Sequence, residues 1–291
     1  MTAPRFPTVA VAGVGLIGGS FVAALRQAGQ VGRVLGMGRN PLSLEKAQSL
    51  GLIDAIATPQ EAARADLIML AAPVGATGSL LGALAPYLGP NTIITDAGST
   101  KSDVVASARA ALGKHIGQFV PGHPIAGAER TGPDAAQAAL YQDRTVILTP
   151  LPENTMADVR AVRDAWTYCG AHVIDMDADA HDQALAAVSH LPHLLASVFM
   201  THIVRSPDAA RRLALAGSGF RDFTRIAAGS PEMWRDIFQS NRSAMLTEIA
   251  ALRDVLDESE RAIRARDTAA LQTLLQTAAD ARHQWEKERR A

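Results

Sequence analysis

Thr8-Val9-Ala10-Val11-Ala12-Gly13-Val14-Gly15-Leu16-Ile17-Gly18-Gly19-Ser20 is the stretch whose reading decides the fold. Residues 8–12 form an apolar run of strand length, and the chain from Leu16 to about Gly29 has helical character. Between the two lies the pattern G-x-G-x-x-G, in the strand–turn–helix setting that gives the pattern meaning. Gly13 makes the tight turn, Gly15 lets backbone approach a pyrophosphate, and Gly18 lets helix and strand pack closely. A helix starting at Leu16 and Ile17 offers free N–H groups and the positive end of its dipole to phosphates. Gly13, Gly15, Leu16, Ile17 and Gly18 are therefore expected to bind a dinucleotide.

The end of the second strand selects the cofactor. Enzymes that use NAD usually place an acid there for the ribose 2′-hydroxyl. Here the sequence is Leu35-Gly36-Met37-Gly38-Arg39-Asn40, with no acid before Glu45. A carboxylate would repel a 2′-phosphate, whereas Arg39 would pair with it. The expectation is NADP in preference to NAD; the alternative is that Arg39 is a solvated surface arginine. Pro73 follows the apolar run 67–71 and is expected near the nicotinamide ribose, because ligands lie at the carboxyl ends of such strands. Asp96-Ala97-Gly98-Ser99-Thr100-Lys101 ends another strand of the row. Ser99 either caps the following helix or bonds a catalytic imidazole or substrate hydroxyl.

Short apolar runs alternate with helical stretches through the first half. Strands are expected at 8–12, 33–37, 55–57, 66–71, 92–95, 119–121, 145–149 and 172–176. Helices are expected at 44–50, 78–87, 101–112 and 158–169. This alternation implies a parallel sheet wound on both faces. After about Asp177 the pattern is helical only: 180–204, broken or bent near Pro192, then 207–216, 221–228, 231–258 and 268–290. Two domains are expected, 1–178 binding the nucleotide and 179–291 being helical. Met245, Ile249, Leu252 and Leu256 recur at near-helical spacing. Stripes this apolar favour a homodimer.

The bulk numbers exclude other classes. In 291 residues, 28 Lys and Arg balance 29 Asp and Glu, for a net charge of -1. A nucleic-acid binder would show a basic excess or face. One cysteine, Cys169, permits no internal disulfide, which suits a cytoplasmic location, and its surroundings suggest a small buried hydrophobe. Residues 6–25 resemble a secretory leader but are explained by the glycine turn. Residues 67–95 carry no charge, yet Pro73, Pro86 and Pro90 break them up, so no membrane span is expected. His190 and His193 share one helix face, but no third metal ligand accompanies them.

Gly122-His123-Pro124-Ile125-Ala126-Gly127-Ala128-Glu129 places one imidazole among residues unsuited to ordinary helix or strand. A histidine in a rigid turn can have its ring aimed at a target. By itself it is equally a structural turn histidine.

Taken together, these motifs resemble the prephenate and arogenate dehydrogenases of tyrosine biosynthesis. The matching pieces are residues 13–20, 96–101, 122–129 with Gly132, Ser189-His190-Leu191-Pro192-His193, and Gly219-Phe220-Arg221-Asp222-Phe223-Thr224-Arg225-Ile226-Ala227. They occur in the family's order over nearly the whole chain. The resemblance implies an α/β Rossmann-type N-terminal domain followed by an all-α dimerisation domain. It implies a cyclohexadienol substrate that loses hydride from C4 to the nicotinamide and its ring carboxylate as carbon dioxide. It further implies that His123 accepts the hydroxyl proton, with Ser99 orienting the imidazole or touching the same hydroxyl. Arg225 holds a substrate carboxylate in this comparison, the alternative being a helix-surface ion pair, and His193 binds or supports substrate or is equally a helix-packing histidine. Glu129 tunes His123, senses product or is a solvated turn acid. Arg221, Asp222 and Trp234 are candidates at the rim, with Trp234 alternatively approaching from a partner subunit or belonging to the core. Pro124 is expected on the cofactor side, and His190 is structural. Two other readings stay open. One is an NADP-dependent reductase of the β-hydroxyacid dehydrogenase or imine reductase type; the other is a non-catalytic NADP-sensing module.

Overall fold

Strand β1 (Phe6–Ala12) is central to a parallel sheet because its residues are apolar on both sides. Val9 and Val11 enter one core cluster, and Ala10 and Ala12 enter the other. The computed structural model describes residues 3–127 and 130–290, with side chains to 288. The remaining strands are β2 (Val31–Met37), β3 (Ala55–Ile56), β4 (Leu67–Leu70), β5 (Ile93–Asp96), β6 (Phe119–Val120), β7 (Gly122–Pro124), β8 (Thr145–Leu148) and β9 (His172–Asp175). The helices are α1 (Leu16–Gln27), α2 (Pro41–Ser49), α3 (Pro59–Ala62), α4 (Thr77–Leu84), α5 (Ser102–Leu112), α6 (Met156–Tyr168) and α7 (Ala178–Leu185). They continue as α8 (Leu191–Val204), α9 (Ala209–Ala214), α10 (Ser218–Thr224), α11 (Pro231–Ser240), α12 (Arg242–Ala265) and α13 (Thr268–Arg290).

Six strands form a sheet of order β3-β2-β1-β4-β5-β6, all parallel. The order reverses between β1 and β4, where open α/β sheets bind ligands. One face packs on Phe21, Tyr141 and Trp166, whose rings meet edge to face at 4.8 Å and 5.1 Å. The other face packs on Leu81, Leu84, Val104 and Leu112. The uncharged run 67–95 lies within this layer as β4, α4 and β5. Cys169 is buried beside Phe21, and burial pushes its thiol pKa up.

Three expectations are corrected. The expected single parallel sheet is two: β7, β8 and β9 form a second sheet in which β7 pairs antiparallel to β8. The turn expected at Gly122 and His123 is strand β7, with His123 opposite Ile147. Glycine and proline are tolerated there because β7 is a three-residue edge strand. The stretch 231–258 is not one helix, since Asn241 separates α11 from α12. The short helix α3, closed by a Thr58–Glu61 capping box, escaped the reading because it is only one turn long.

The expected irregularity near Pro192 takes the form of a π turn, Ala186–His190. The Leu191 N–H bonds to the Ala186 carbonyl, five residues back. Pro192 has no N–H to give and its ring would crowd the carbonyl four residues earlier, so the wider turn relieves both problems.

The chain divides into two compact units, 1–242 and 243–291. The second consists of the rest of α12 and α13. Its turn uses Arg266 at φ 55°, and the Asp267 N–H bonds back to the Ala262 carbonyl at 2.9 Å. The Asp267 carboxylate then accepts the Ala270 N–H at 2.9 Å, starting α13.

Candidate active site

The side chains of the candidate site all belong to the first unit. At the end of β1, Gly13 has φ +97°, and a Cβ there would sit 2.4 Å from the Ala71 carbonyl oxygen. A Cβ on Gly18 would meet the Gly13 carbonyl oxygen at 2.2 Å. These two glycines weld turn, helix and sheet together. Gly15 differs: a Cβ would find only the Gly132 nitrogen, at 4.0 Å, so its outer side is open. No side chain caps the N-terminus of α1 and no acid stands in its first turn. An open glycine face beneath an uncapped helix N-terminus fits a pyrophosphate. Tyr141 donates its hydroxyl hydrogen to the Ile17 carbonyl at 2.7 Å, and Ser20 accepts the Gln137 N–H at 2.8 Å, which anchors α1.

Arg39 is exposed just beyond β2, and Gly38 before it leaves space beside Leu44. Asn40 is committed to capping α2, accepting the Ser43 N–H at 3.3 Å. Pro73 is exposed and begins the 3-10 turn Val74–Ala76 after β4. Asp236 of α11 reaches the same turn, its carboxylate 3.4 Å from where a Gly75 Cβ would be.

Beyond β5, a buried ion pair holds the next segment. Lys101 Nζ donates to Asp96 Oδ2 at 2.5 Å and to the Gly122 carbonyl at 2.7 Å. The other Asp96 oxygen accepts the Gly122 N–H at 3.0 Å. Burial lowers the Lys101 pKa, and the Asp96 carboxylate works against that shift. Removing one partner would strand the other charge, at a cost of about 3–5 kcal/mol. The pair thus clamps the residue preceding His123.

His123 is buried on β7. Its Nδ1 lies 2.9 Å from His181 Nε2, and His181 Nδ1 lies 2.8 Å from Asp182 Oδ1. Burial holds His123 well below the usual imidazole range, and His181, Lys101 and His190 add to that effect. The ring is therefore neutral at physiological pH and able to accept a proton. Ser99 sits half-buried in the loop after β5. It does not cap α5: Asp182 takes the Lys101 and Ser102 N–H groups at 2.8 Å each. A distant carboxylate had already filled the position where a local cap would act.

His190 and His193 lie on neighbouring turns. His190 Nδ1 meets Asn241 Nδ2 at 3.1 Å, and Asn241 also donates to the Asp182 carbonyl at 2.7 Å. Burial brings the His190 pKa down to about 4, with Asp182 opposing. His193 donates Nδ1–H to the Ile226 carbonyl at 3.2 Å, which leaves Nε2 as an acceptor. Trp234 stacks on His193, and Gly229 makes room for it, since a Cβ there would stand 2.7 Å from Trp234 Nε1. Burial lowers the His193 pKa, the Ile226 carbonyl opposes, and the nearby Arg225 guanidinium lowers it further.

The structure thus brings His190 and His193 into ring contact with Trp234, with His190 acting electrostatically on His123 and Arg225 on His193, all within one unit. Arg225 is exposed, at the start of the 3-10 turn Arg225–Ala228. Arg221 and Asp222 are exposed on α10, and no described contact ties either to the histidines. Pro124 is buried in β7 opposite Val146. Glu129 lies outside the described residues. Sequence reading missed His181, Asp182 and Asn241. The adjacent His–Asp pair was the available signal, but no spacing rule links it to His123. Among the described residues, no group of three or more His, Cys, Asp or Glu is placed to hold a metal.

Residues 21–175 match the family described as prephenate dehydrogenase, nucleotide-binding domain, and 177–277 match prephenate dehydrogenase, dimerization domain. The glycine turn precedes the first matched stretch, so its assignment rests on geometry. Cyclohexadienyl dehydrogenase of Zymomonas mobilis is 36% identical over 245 residues, covering 83% of each chain. Prephenate dehydrogenase of Bacillus subtilis is 34% identical over 283 residues, covering 94% of this chain and 75% of that one. The Aquifex aeolicus prephenate dehydrogenase in complex with hydroxyphenyl propionate and NAD+ has a TM-score of 0.88 at 32% identity, covering 95% of this chain and 98% of that one. Synechocystis arogenate dehydrogenase has a TM-score of 0.81 at 29% identity, covering 96% and 99%. In sequence and in fold, this chain belongs to the prephenate dehydrogenase family, the prephenate and cyclohexadienyl dehydrogenases of tyrosine biosynthesis.

Proposed function

We propose that this enzyme oxidatively decarboxylates prephenate, arogenate or both, yielding 4-hydroxyphenylpyruvate or tyrosine, with NADP+ preferred to NAD+. The observation that carries the reading is His123, a buried imidazole whose Nδ1 meets His181 Nε2 at 2.9 Å, which leaves Nε2 to act. The nicotinamide cofactor, when bound, accepts the hydride from C4 of the substrate. Gly13, Gly15, Leu16, Ile17 and Gly18 hold its pyrophosphate, with Pro73, Ser99 and Pro124 on the same side. Arg39 pairs with the 2′-phosphate, although the Aquifex relative is described with NAD+.

His123 takes the proton of the C4 hydroxyl as hydride leaves, so C4 becomes a carbonyl. The bond to the ring carboxylate then breaks and carbon dioxide departs. Its electron pair passes through the ring to the C4 oxygen, and His123 returns the proton to that phenolate. Aromatisation drives the step. Ser99 holds the hydroxyl or the imidazole. Arg225 grips a substrate carboxylate, for which a planar guanidinium suits better than an ammonium. His193, Trp234, Arg221 and Glu129 complete the substrate site. Binding ground state and transition state equally would lower KM without raising kcat, so Arg225 grips the substrate enough to orient it without opposing the departure of charge.

The division at 178 assigns 1–178 to the nucleotide and 179–291 to substrate and dimerisation. A homodimer is supported by the match to a dimerisation domain and by uncovered apolar side chains. Val188, Val198 and Val204 are exposed in the first unit, and Leu246, Leu256, Ile263 and Leu275 in the second. The single buried cysteine accords with a cytoplasmic enzyme. Prephenate and arogenate, supplied separately with NADP+ or NAD+, test the reading through the absorbance of the reduced nicotinamide. No rise with either substrate would sink it.

A further inference from the structure

We infer that His181 and Asp182 are positioning residues that fix the tautomer of His123, so that its proton sits on Nδ1 and its lone pair on Nε2. The inference rests on the reading of His123 as the base and adds how it is prepared.

The order of the protons follows from the acceptor at the end of the chain. Asp182 Oδ1 accepts the Lys101 N–H and Oδ2 the Ser102 N–H, both at 2.8 Å, where α5 begins. These bonds, with the positive end of the α5 dipole, favour a carboxylate over a carboxylic acid. Burial alone would raise the Asp182 pKa, but the bonds from His181, Ser102 and Lys101 leave it lowered. A carboxylate only accepts, so His181 must carry hydrogen on Nδ1, 2.8 Å away. A His181 ring that carries its one hydrogen on Nδ1 has a lone pair on Nε2. His123 Nδ1, 2.9 Å from it, must supply the hydrogen. In neutral His123 this leaves Nε2 unprotonated, as a base requires.

The surroundings hold the chain in place. His181 is fully buried, and Asn241 donates to the Asp182 carbonyl at 2.7 Å. Lys101 and His190 face His123 and disfavour its cation, while Asp182 and Asp96 are the anions of the cluster. When His123 takes a proton, His181 accepts a hydrogen bond from the imidazolium, and Asp182 stabilises the charge through His181.

The test uses the full-length enzyme with 15N-labelled histidine. In the wild type, the His123 resonances, identified by their loss in His123→Asn, should show protonated Nδ1 and unprotonated Nε2. Asp182→Asn either presents its amide N–H to His181, giving up the Lys101 N–H bond and moving the proton of His123 to Nε2, or keeps an uncharged carbonyl there as a weaker acceptor that no longer confines that proton to Nδ1. That variant should lose tenfold or more in kcat, while the KM for prephenate and the affinity for NADP+ stay within about threefold. The acid limb of its pH profile should move to lower pH, because an anion that favoured the imidazolium is gone. His181→Gln retains a carbonyl acceptor for His123 and should keep the Nδ1–H tautomer, which guards against a folding defect in the first variant. The inference is overturned if wild-type His123 carries its proton on Nε2, or if Asp182→Asn leaves both tautomer and kcat unchanged. A wild type without dehydrogenase activity would defeat the base reading instead, and the tautomer measurement would still decide the proton order.

Discussion

Trp234 lies flat on His193, with ring centroids 3.7 Å apart and planes 23° from parallel. The stack joins α11 to α8, and it fixes a ring whose Nε2 is free to accept. An aromatic pair of this kind contributes about 0.5–1.5 kcal/mol beyond its buried area. Trp234→Leu is expected to raise the KM for substrate by about 2- to 10-fold, with a smaller change in cofactor affinity. Steady-state kinetics with both substrates checks it.

His123→Asn removes the proposed base and keeps a group of similar size. Turnover should fall by about 10²–10⁴-fold. Binding of NADP+, measured by calorimetry, should stay unchanged. Retained turnover would show that the proton leaves by another route.

For Arg225→Ala the change should appear mainly in KM. A lost charge-assisted contact is worth about 1.5–3 kcal/mol, or roughly 10- to 150-fold. An unaltered KM would remove Arg225 from the substrate site.

Arg39 is the only charged residue between Leu35 and Asn40, and the proposed preference for NADP+ rests on it. In Arg39→Ala, affinity for NADP+ should drop by about tenfold or more, while affinity for NAD+ changes little. Competition titration of the two cofactors reads the difference, and parallel losses would contradict the assignment.

Acid should destabilise the fold through His190. Burial brings its pKa down from 6.5 to about 4. As pH falls through that window, the unfolded chain takes up a proton that the folded chain refuses. Stability is therefore full above pH 6.5 and declines toward pH 4, by about 3 kcal/mol from this group. In His190→Gln, the slope of unfolding free energy against pH over this window should flatten by up to one proton. Urea titrations at several pH values measure it, and an unchanged slope would assign the loss elsewhere.

The sequence by itself determined the nucleotide half and the all-helical character that follows Asp177. A strand, three spaced glycines and a helix are local events, governed by backbone angles and short-range hydrogen bonds, and the apolar period of each segment is legible within about ten residues. Ser189 to His193, and Arg225, were also visible as residues, because their types and order recur as motifs. Only the tertiary structure decided what His123 touches. Its partner His181 is 58 residues away, and the carboxylate that caps α5 comes from 80 residues beyond Ser102. Such pairs arise when separate elements pack and their buried polar groups must find partners, a condition that no spacing along the chain encodes. The strand character of Gly122 to Pro124 has the same origin. Its residues disfavour a strand locally, but pairing with β8 and the Lys101–Asp96 clamp outweigh that preference.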